Sequence, residues 1–123
     1  MYKDTGTRSS ILNIYYSAEE IGLMLQKVIE SSSKDIEGCK VILNCLRVCY
    51  HYLEDILPPD DFCCYFSKDF ELLDSIEIAV EYESSYVAAM ELVNYCLDRF
   101  YSSCSDSLIW IGINYNAEKH FCV

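Results

Sequence analysis

The 123-residue sequence has few basic residues and no long apolar run. Nine lysines and arginines stand against 20 acids, which gives a net charge of −11 and a pI near 4.4. Phosphate backbones and anionic lipid headgroups repel a chain of this charge. No segment approaches the roughly 20 consecutive apolar residues that a transmembrane helix needs. We therefore expect neither direct nucleic-acid binding nor membrane insertion.

Catalytic and cofactor motifs are also missing. The two histidines, His51 and His120, stand in no recognisable nucleophile motif, and the four glycines form no phosphate-binding loop. The eight cysteines include no CxxC pair of the kind found in zinc fingers and ribbons. We expect no enzymatic activity, no cofactor and no bound metal.

A metal-dependent protein is the weaker alternative. Cys45 and Cys49 have a spacing that could hold a metal, and His120 and Cys122 could add ligands if the C-terminal residues fold back. However, Cys45 and Cys49 fall on an apolar helical face, and His51 points away from it. Buried thiols that act as small hydrophobic side chains explain this pattern better.

The cysteines also bear on the cellular compartment. The first residues carry no apolar leader behind a basic segment, so the sequence lacks the signature of a secretory signal peptide. Eight cysteines without secretion indicate free thiols in a reducing compartment. We expect a cytoplasmic protein.

Apolar and aromatic residues are plentiful. They make up 52% of the chain, and aromatic residues alone make up 14%. This content is sufficient for one core and the length is too short for two domains. We expect a single helical domain over residues 1–123, with residues 1–10 as a loose polar N-terminal segment.

Apolar residues recur with helical spacing along most of the chain. Ser17–Glu20 fits a capping box, Asp35 and Ser84 or Ser85 are candidate N-caps, and Pro58–Pro59 ends a helix. The predicted helices cover residues 18–30, 35–57, 69–83 and 86–101, with a short helical turn at 62–66 and a loop at 102–107. The predicted fold class is mainly α, a compact bundle of four to five helices.

Two of these helices have informative apolar faces. The 35–57 helix has apolar residues over more than half of its circumference, which predicts a central position. Those residues are Val41, Ile42, Cys45, Leu46, Val48, Cys49, Tyr52, Leu53 and Ile56. The inward residues predicted for the 69–83 helix are Leu72, Leu73, Ile76, Ala79 and Val80.

The secondary structure of two apolar segments stays open. Residues 11–16 and 108–115 are rich in β-branched and aromatic side chains, so they could pair as short terminal β-strands. We favour a final helix for 108–115, because an isolated two-stranded pair is only marginally stable.

A faint internal repeat relates the two halves of the chain. An offset of 51 residues aligns Cys45–Leu46 with Cys96–Leu97 and Tyr50 with Tyr101. Two similar helical hairpins would explain this, as in a solenoid of helical repeats. The matches are few and any amphipathic helix would produce them, so we interpret them as chance.

The acidic residues are concentrated in one stretch of the sequence. Residues 54–98 contain twelve acids and a single base, Lys68, while the rest of the chain is neutral. On the predicted 69–83 helix, Glu71, Asp74, Glu77 and Glu81 form a stripe opposite the apolar face. No basic residue stands nearby in the sequence, so the stripe should weaken the helix slightly.

Exposed apolar residues accompany the acidic stripe. Ile78 and Tyr82 lie at its edge, and of the eleven tyrosines Tyr82 and Tyr95 fall on outward helical faces. Carboxylates that steer a partner and apolar side chains that anchor it are typical of a binding surface. The simpler alternative is an acidic face that only confers solubility.

These observations predict a non-enzymatic, acidic protein–protein interaction module. In size, charge and charge placement it compares with small inhibitors such as immunity proteins against nuclease toxins, although no family motif is present. The expected partner is a basic protein, a nuclease toxin or another nucleic-acid-binding protein. The predicted contacts are Glu71, Asp74, Glu77, Ile78, Glu81 and Tyr82. A helical-repeat (HEAT-like) scaffold or a subunit of a larger complex is the alternative.

Overall fold

A computed structural model describes residues 18–107 and residue 109. These residues contain five helices and no β-strand, which confirms the predicted mainly α class. The helices are α1 (18–31), α2 (Ile36–Ile56), α3 (Pro59–Tyr65), α4 (Ser67–Glu81) and α5 (Tyr86–Asp106).

Several predictions concern residues outside the described part of the chain. They are the loose segment 1–10, the cap at Ser17 and the apolar segment 11–16. Of residues 108–115, only Ile109 is described. It belongs to neither a helix nor a strand, and its N–H donates to the carbonyl of Cys104 at 2.8 Å.

Side-chain caps begin the two longest helices, as predicted. Asp35 Oδ1 accepts hydrogen bonds from the Ser33 hydroxyl at 2.7 Å and from the Gly38 N–H at 2.8 Å. These bonds, with that of Ser33 the stronger, lower the pKa of Asp35 because they favour its charged form. Ser85 Oγ accepts from the Ala88 N–H at 3.3 Å in the same way.

The predicted loop at 102–107 is wrong, because α5 continues to Asp106. Ser103 and Cys104 are buried in its last turns, and the Ser103 hydroxyl donates to the carboxylate of Asp69 on α4. These contacts outweigh the weak helix propensity of the serines in this segment. The other bounds shift by about one turn or less: α4 starts at Ser67 and ends at Glu81.

Tyr50 lies at the centre of the core. Its side chain is 1% exposed, stacks on Phe70 with a centroid distance of 5.3 Å, and meets the edges of Phe100 and Phe66 at 5.1 and 6.2 Å. Burial raises the pKa of Tyr50, so its hydroxyl stays protonated. Through these rings α2 packs on both α4 and α5, which confirms its central position.

The buried side of α2 differs from the predicted apolar arc. Val41, Val48 and Tyr52 are 38–51% exposed, whereas Leu43 and Tyr50 are almost fully buried. The difference arises because α4 and α5 cover the side of α2 that carries Leu43 and Tyr50. On α4 itself, Leu73, Ile76 and Val80 are buried as predicted, Leu72 is half-buried and Ala79 is exposed.

The burial pattern supports the internal repeat. Twelve residues of α4 and α5 are buried. For eleven of them, the residue 51 positions earlier, in α1 or α2, is buried as well. For α4 all four match: 69, 73, 76 and 80 correspond to 18, 22, 25 and 29. Amphipathicity alone could align one pair of helices, but here a single offset aligns two pairs. This coincidence favours a structural repeat over chance similarity of the helices.

The two hairpins, α1–α2 and α4–α5, stack with their second helices parallel. The first turns of α2 and α5 meet where Cys39 Sγ lies 3.7 Å from Met90 Sδ, and these two residues are themselves 51 apart. Further along, Tyr50 contacts Phe100. Both second helices are 21 residues long. Parallel stacking of equivalent helices is the arrangement of a helical solenoid.

Gly38 should be essential for the α1–α2 turn. A Cβ at this position would lie 1.8 Å from the carbonyl oxygen of Ser33, and neither backbone can move freely. We expect Gly38→Ala to lower the free energy of unfolding by about 1–3 kcal/mol, although alanine is the better helix former. Urea unfolding followed by circular dichroism measures this. Asn44→Ala, on the exposed side of α2, is the control and should be neutral. Equal midpoints for Gly38→Ala and the native chain would contradict the close approach.

Candidate functional site: the outer face of helix α4

The six predicted contact residues lie on one outward-facing side of α4 and at its C-cap, Tyr82, and we call them the α4 face. Ile78 and Tyr82 are 63% and 86% exposed, Glu71, Asp74 and Glu81 are exposed, and Glu77 is half-buried. A shallow, open depression brings five of the six together, all except Glu71. The predicted residues therefore share one surface.

Two bases from α2 reach the acidic side of the α4 face. The Arg47 guanidinium forms ion pairs with Asp74 and Glu77, and its Nε donates to Glu77 Oε2 at 3.3 Å. Hydrogen bonds to Glu77 and then Asp74 raise the pKa of Arg47, which stays charged. The guanidinium also lies 5.4 Å from the centre of the Phe70 ring.

Lys40 is the second of these bases. Its ammonium lies 3.5 Å from a carboxylate oxygen of Glu81 and 3.5 Å from one of Glu37. Both pairs are largely exposed, and exposed pairs contribute at most about 1 kcal/mol. Lys40 and Arg47 are two turns apart on α2. They pair with Glu81 and Asp74 in the reverse order along α4, because α2 and α4 are antiparallel.

The expectation that the stripe has no basic partner is therefore wrong. Arg47 stands just outside the 54–98 window, and so does Arg99. Over residues 47–99 there are twelve acids and three bases, a net charge of −9. Lys40 and Arg47 would be recognisable in the sequence only if the antiparallel pairing of their helix with α4 were already known.

Asp69 does not belong to the exposed acids. Its side chain is buried, it accepts from the Ser103 hydroxyl, and its Oδ1 accepts from Arg99 Nε at 3.2 Å. These bonds fasten the start of α4 to the last turns of α5. The coulombic attraction of Asp69 is the main cause of a raised pKa at Arg99. Asp69 is thus a structural residue and not part of a binding surface.

Five cysteines are core residues. Cys39, Cys45, Cys49, Cys96 and Cys104 are buried free thiols, while Cys63 and Cys64 are exposed on α3. Cys45 and Cys49 face the core and His51 is exposed, as predicted. Within residues 18–107, no three Cys, His, Asp or Glu side chains come together as metal ligands would. His120 and Cys122 lie outside the described residues.

No helix in the described part of the chain has the length and apolarity required to cross a bilayer.

The Arg47 ion pairs should be measurable as a coupled interaction. We expect Arg47→Met, which keeps the packing on Phe70, to lower the free energy of unfolding by about 1 kcal/mol, less at high salt. Glu77→Gln should lower the free energy of unfolding less in the Arg47→Met background than in the native chain. A double-mutant cycle by urea unfolding measures the coupling. Fully additive effects would show that the pair contributes nothing.

The cysteines should differ in reactivity. Burial raises the pKa of Cys96 to about 12, so almost none of it is the reactive thiolate at pH 8. Brief iodoacetamide treatment of the folded chain should modify Cys63 and Cys64 well before Cys96 or Cys104, as read by peptide mass spectrometry. The urea-unfolded chain is the control, in which these differences should largely disappear. Rapid labelling of Cys96 in the folded chain would contradict its burial in the core.

Comparison with known proteins adds no family assignment: no protein-family model matches the chain, and neither a curated protein nor a solved structure matches it significantly.

Proposed function

We propose that this chain is a non-enzymatic, acidic protein-binding module that binds a basic partner protein through the α4 face. The observation that carries the proposal is the exposure of Ile78 and Tyr82, one helical turn apart, among carboxylates. Burying two such side chains at an interface stabilises a complex, and aromatic residues are frequent among the contacts that dominate binding energies.

The internal ion pairs change the expected role of the individual acids. Asp74 and Glu77 are held by Arg47, so they present carboxylates in fixed positions, while Glu71 has no base from the described residues within ion-pair distance. Pairing inside the molecule leaves the net charge at −11. The long-range attraction of a basic protein is therefore retained, and its association rate should fall with ionic strength.

The specific form of the proposal is an inhibitor in the cytoplasm. Basic proteins that act on nucleic acids carry grooves lined by lysine and arginine for phosphates. Carboxylates spaced along α4 could occupy such positions, with Ile78 and Tyr82 anchoring the helix beside them. An immunity-protein-like inhibitor of a nuclease toxin is one such protein, and an antagonist of another nucleic-acid-binding protein is a second.

A helical-repeat scaffold is the second candidate function. It is favoured by the two stacked hairpins, whose buried positions coincide at a single offset. A scaffold of this kind would hold other subunits through its open ends and would not inhibit an enzyme.

The α4 face can be tested by paired substitutions. Ile78→Asp with Tyr82→Ala should abolish capture of a basic protein by the tagged chain at low salt, because both anchors are lost. Tyr65→Ala, a partly exposed tyrosine on α3, is the matched control and should leave capture unchanged. The protein encoded by the neighbouring gene is the first candidate to test.

Once the partner is purified, the charges can be tested separately. Glu71→Gln should slow association by about two- to threefold at low salt and have little effect on dissociation. Capture that survives the loss of Ile78 and Tyr82, or association that does not depend on salt, would contradict the proposed interface.

A further inference from the structure

An apolar groove runs along the first hairpin, between α1 and α2. The α2 side of the groove consists of Val41, Val48 and Tyr52, which are 38–51% exposed. Their spacing of seven and four residues places them within about 40° of the helical circumference. The α1 side consists of Met24 and Val28, which are half-buried and one turn apart. We call these five residues the α1–α2 groove.

The α1–α2 groove begins beside the first residues of α1. At this end Tyr52 lines a depression together with Glu20, Ile21 and Met24. Glu20 belongs to the first turn of α1, which starts at residue 18. The residues that precede α1 in the sequence are therefore attached next to the groove.

The corresponding surface of the second hairpin is not apolar. At the offset of 51, Val41 corresponds to Leu92, but the other four groove residues correspond to small or polar residues. These four pairs are Met24 and Ser75, Val28 and Ala79, Val48 and Arg99, and Tyr52 and Ser103. The hairpin itself thus does not require large apolar side chains at these positions. Their presence in the α1–α2 groove indicates that something covers it.

The segment of residues 11–16 has the composition and the reach to cover the groove. Five of its six residues are apolar or aromatic: Ile11, Leu12, Ile14, Tyr15 and Tyr16. At a rise of 1.5 Å per residue, Val41 lies about 16 Å from Tyr52 along α2. Six extended residues span up to about 20 Å. From its attachment at α1 the segment can therefore follow the whole groove.

We propose that residues 11–16 bind in the α1–α2 groove and shield its apolar side chains from water. With Tyr16 beside Tyr52 and Ile11 beside Val41, Ile14 lies over Val48. This groove is separate from the α4 face, so the proposal does not depend on the function proposed above.

Attachment to α1 favours this segment over a second copy of the chain. A segment tethered beside its site has an effective concentration on the order of millimolar, whereas a second copy must bind from solution. Charge acts in the same direction. Two chains of net charge −11 repel each other, while residues 1–16 carry Lys3 and Arg8 against a single acid, Asp4.

The residues that follow α5 are a poorer match, because α5 lies on the other side of α2. It contacts α2 at Tyr50, which points about 160° away from Tyr52 around the helix. Ile109 continues from this position and is itself buried in the core.

Methyl NMR of the full chain tests the contact directly. With labelled Ile, Leu and Val methyl groups, we expect nuclear Overhauser cross-peaks between Ile14 and Val48. An isotope-filtered spectrum of a mixture of labelled and unlabelled chains, which detects contacts between copies, should lack them.

A pair of substitutions provides the matched control. Ile14→Asp should remove contacts between residues 11–16 and Val48 and shift the methyl resonances of Val41 and Val48, because a carboxylate is costly to bury against apolar side chains. Asn13→Asp adds the same charge one residue away and should preserve the cross-peaks. Circular dichroism should show the same helix content for both variants.

Three results would each overturn the proposal. Absence of any cross-peak from residues 11–16 to Val41 or Val48 would show that the segment does not bind in the groove. Cross-peaks from these valines to Ile111 or Ile113 would assign the groove to the C-terminal residues, and cross-peaks in the filtered spectrum would assign it to a second copy. All three would leave the function proposed for the α4 face intact.

Discussion

The wide buried side of α2 determines most of this structure. Nine of its 21 residues are buried, more than one neighbouring helix can cover. Tyr50 illustrates the consequence, because its ring contacts Phe70 on α4 and Phe100 on α5. Covering α2 in this way places α4 antiparallel and α5 parallel to it. The exposed face of α4, which carries the proposed binding surface, is therefore a result of how the core of α2 is filled.

The sequence predicted the helices better than their contacts. Caps such as Asp35 and Ser85 are local signals, because each side chain accepts from a backbone N–H only three residues further along, whatever the tertiary fold. The end of α5 was missed because the bond between Ser103 and Asp69 spans 34 residues. Likewise, hydropathy placed Val41 and Val48 in the core on apolar character alone, whereas their exposure depends on which side of α2 faces its neighbours.

The acidic stretch shows why charge along a sequence differs from charge on a surface. All six predicted residues of the α4 face do share one side of a helix, because helical periodicity is a local property. Their partners are not local: Arg47 comes from a different helix and holds Asp74 and Glu77. Asp69 leaves the surface altogether and is bonded to Arg99. Ile78 and Tyr82 are therefore better candidates for the proposed binding than the carboxylates are, because both stay exposed and no ion pair within the chain engages them.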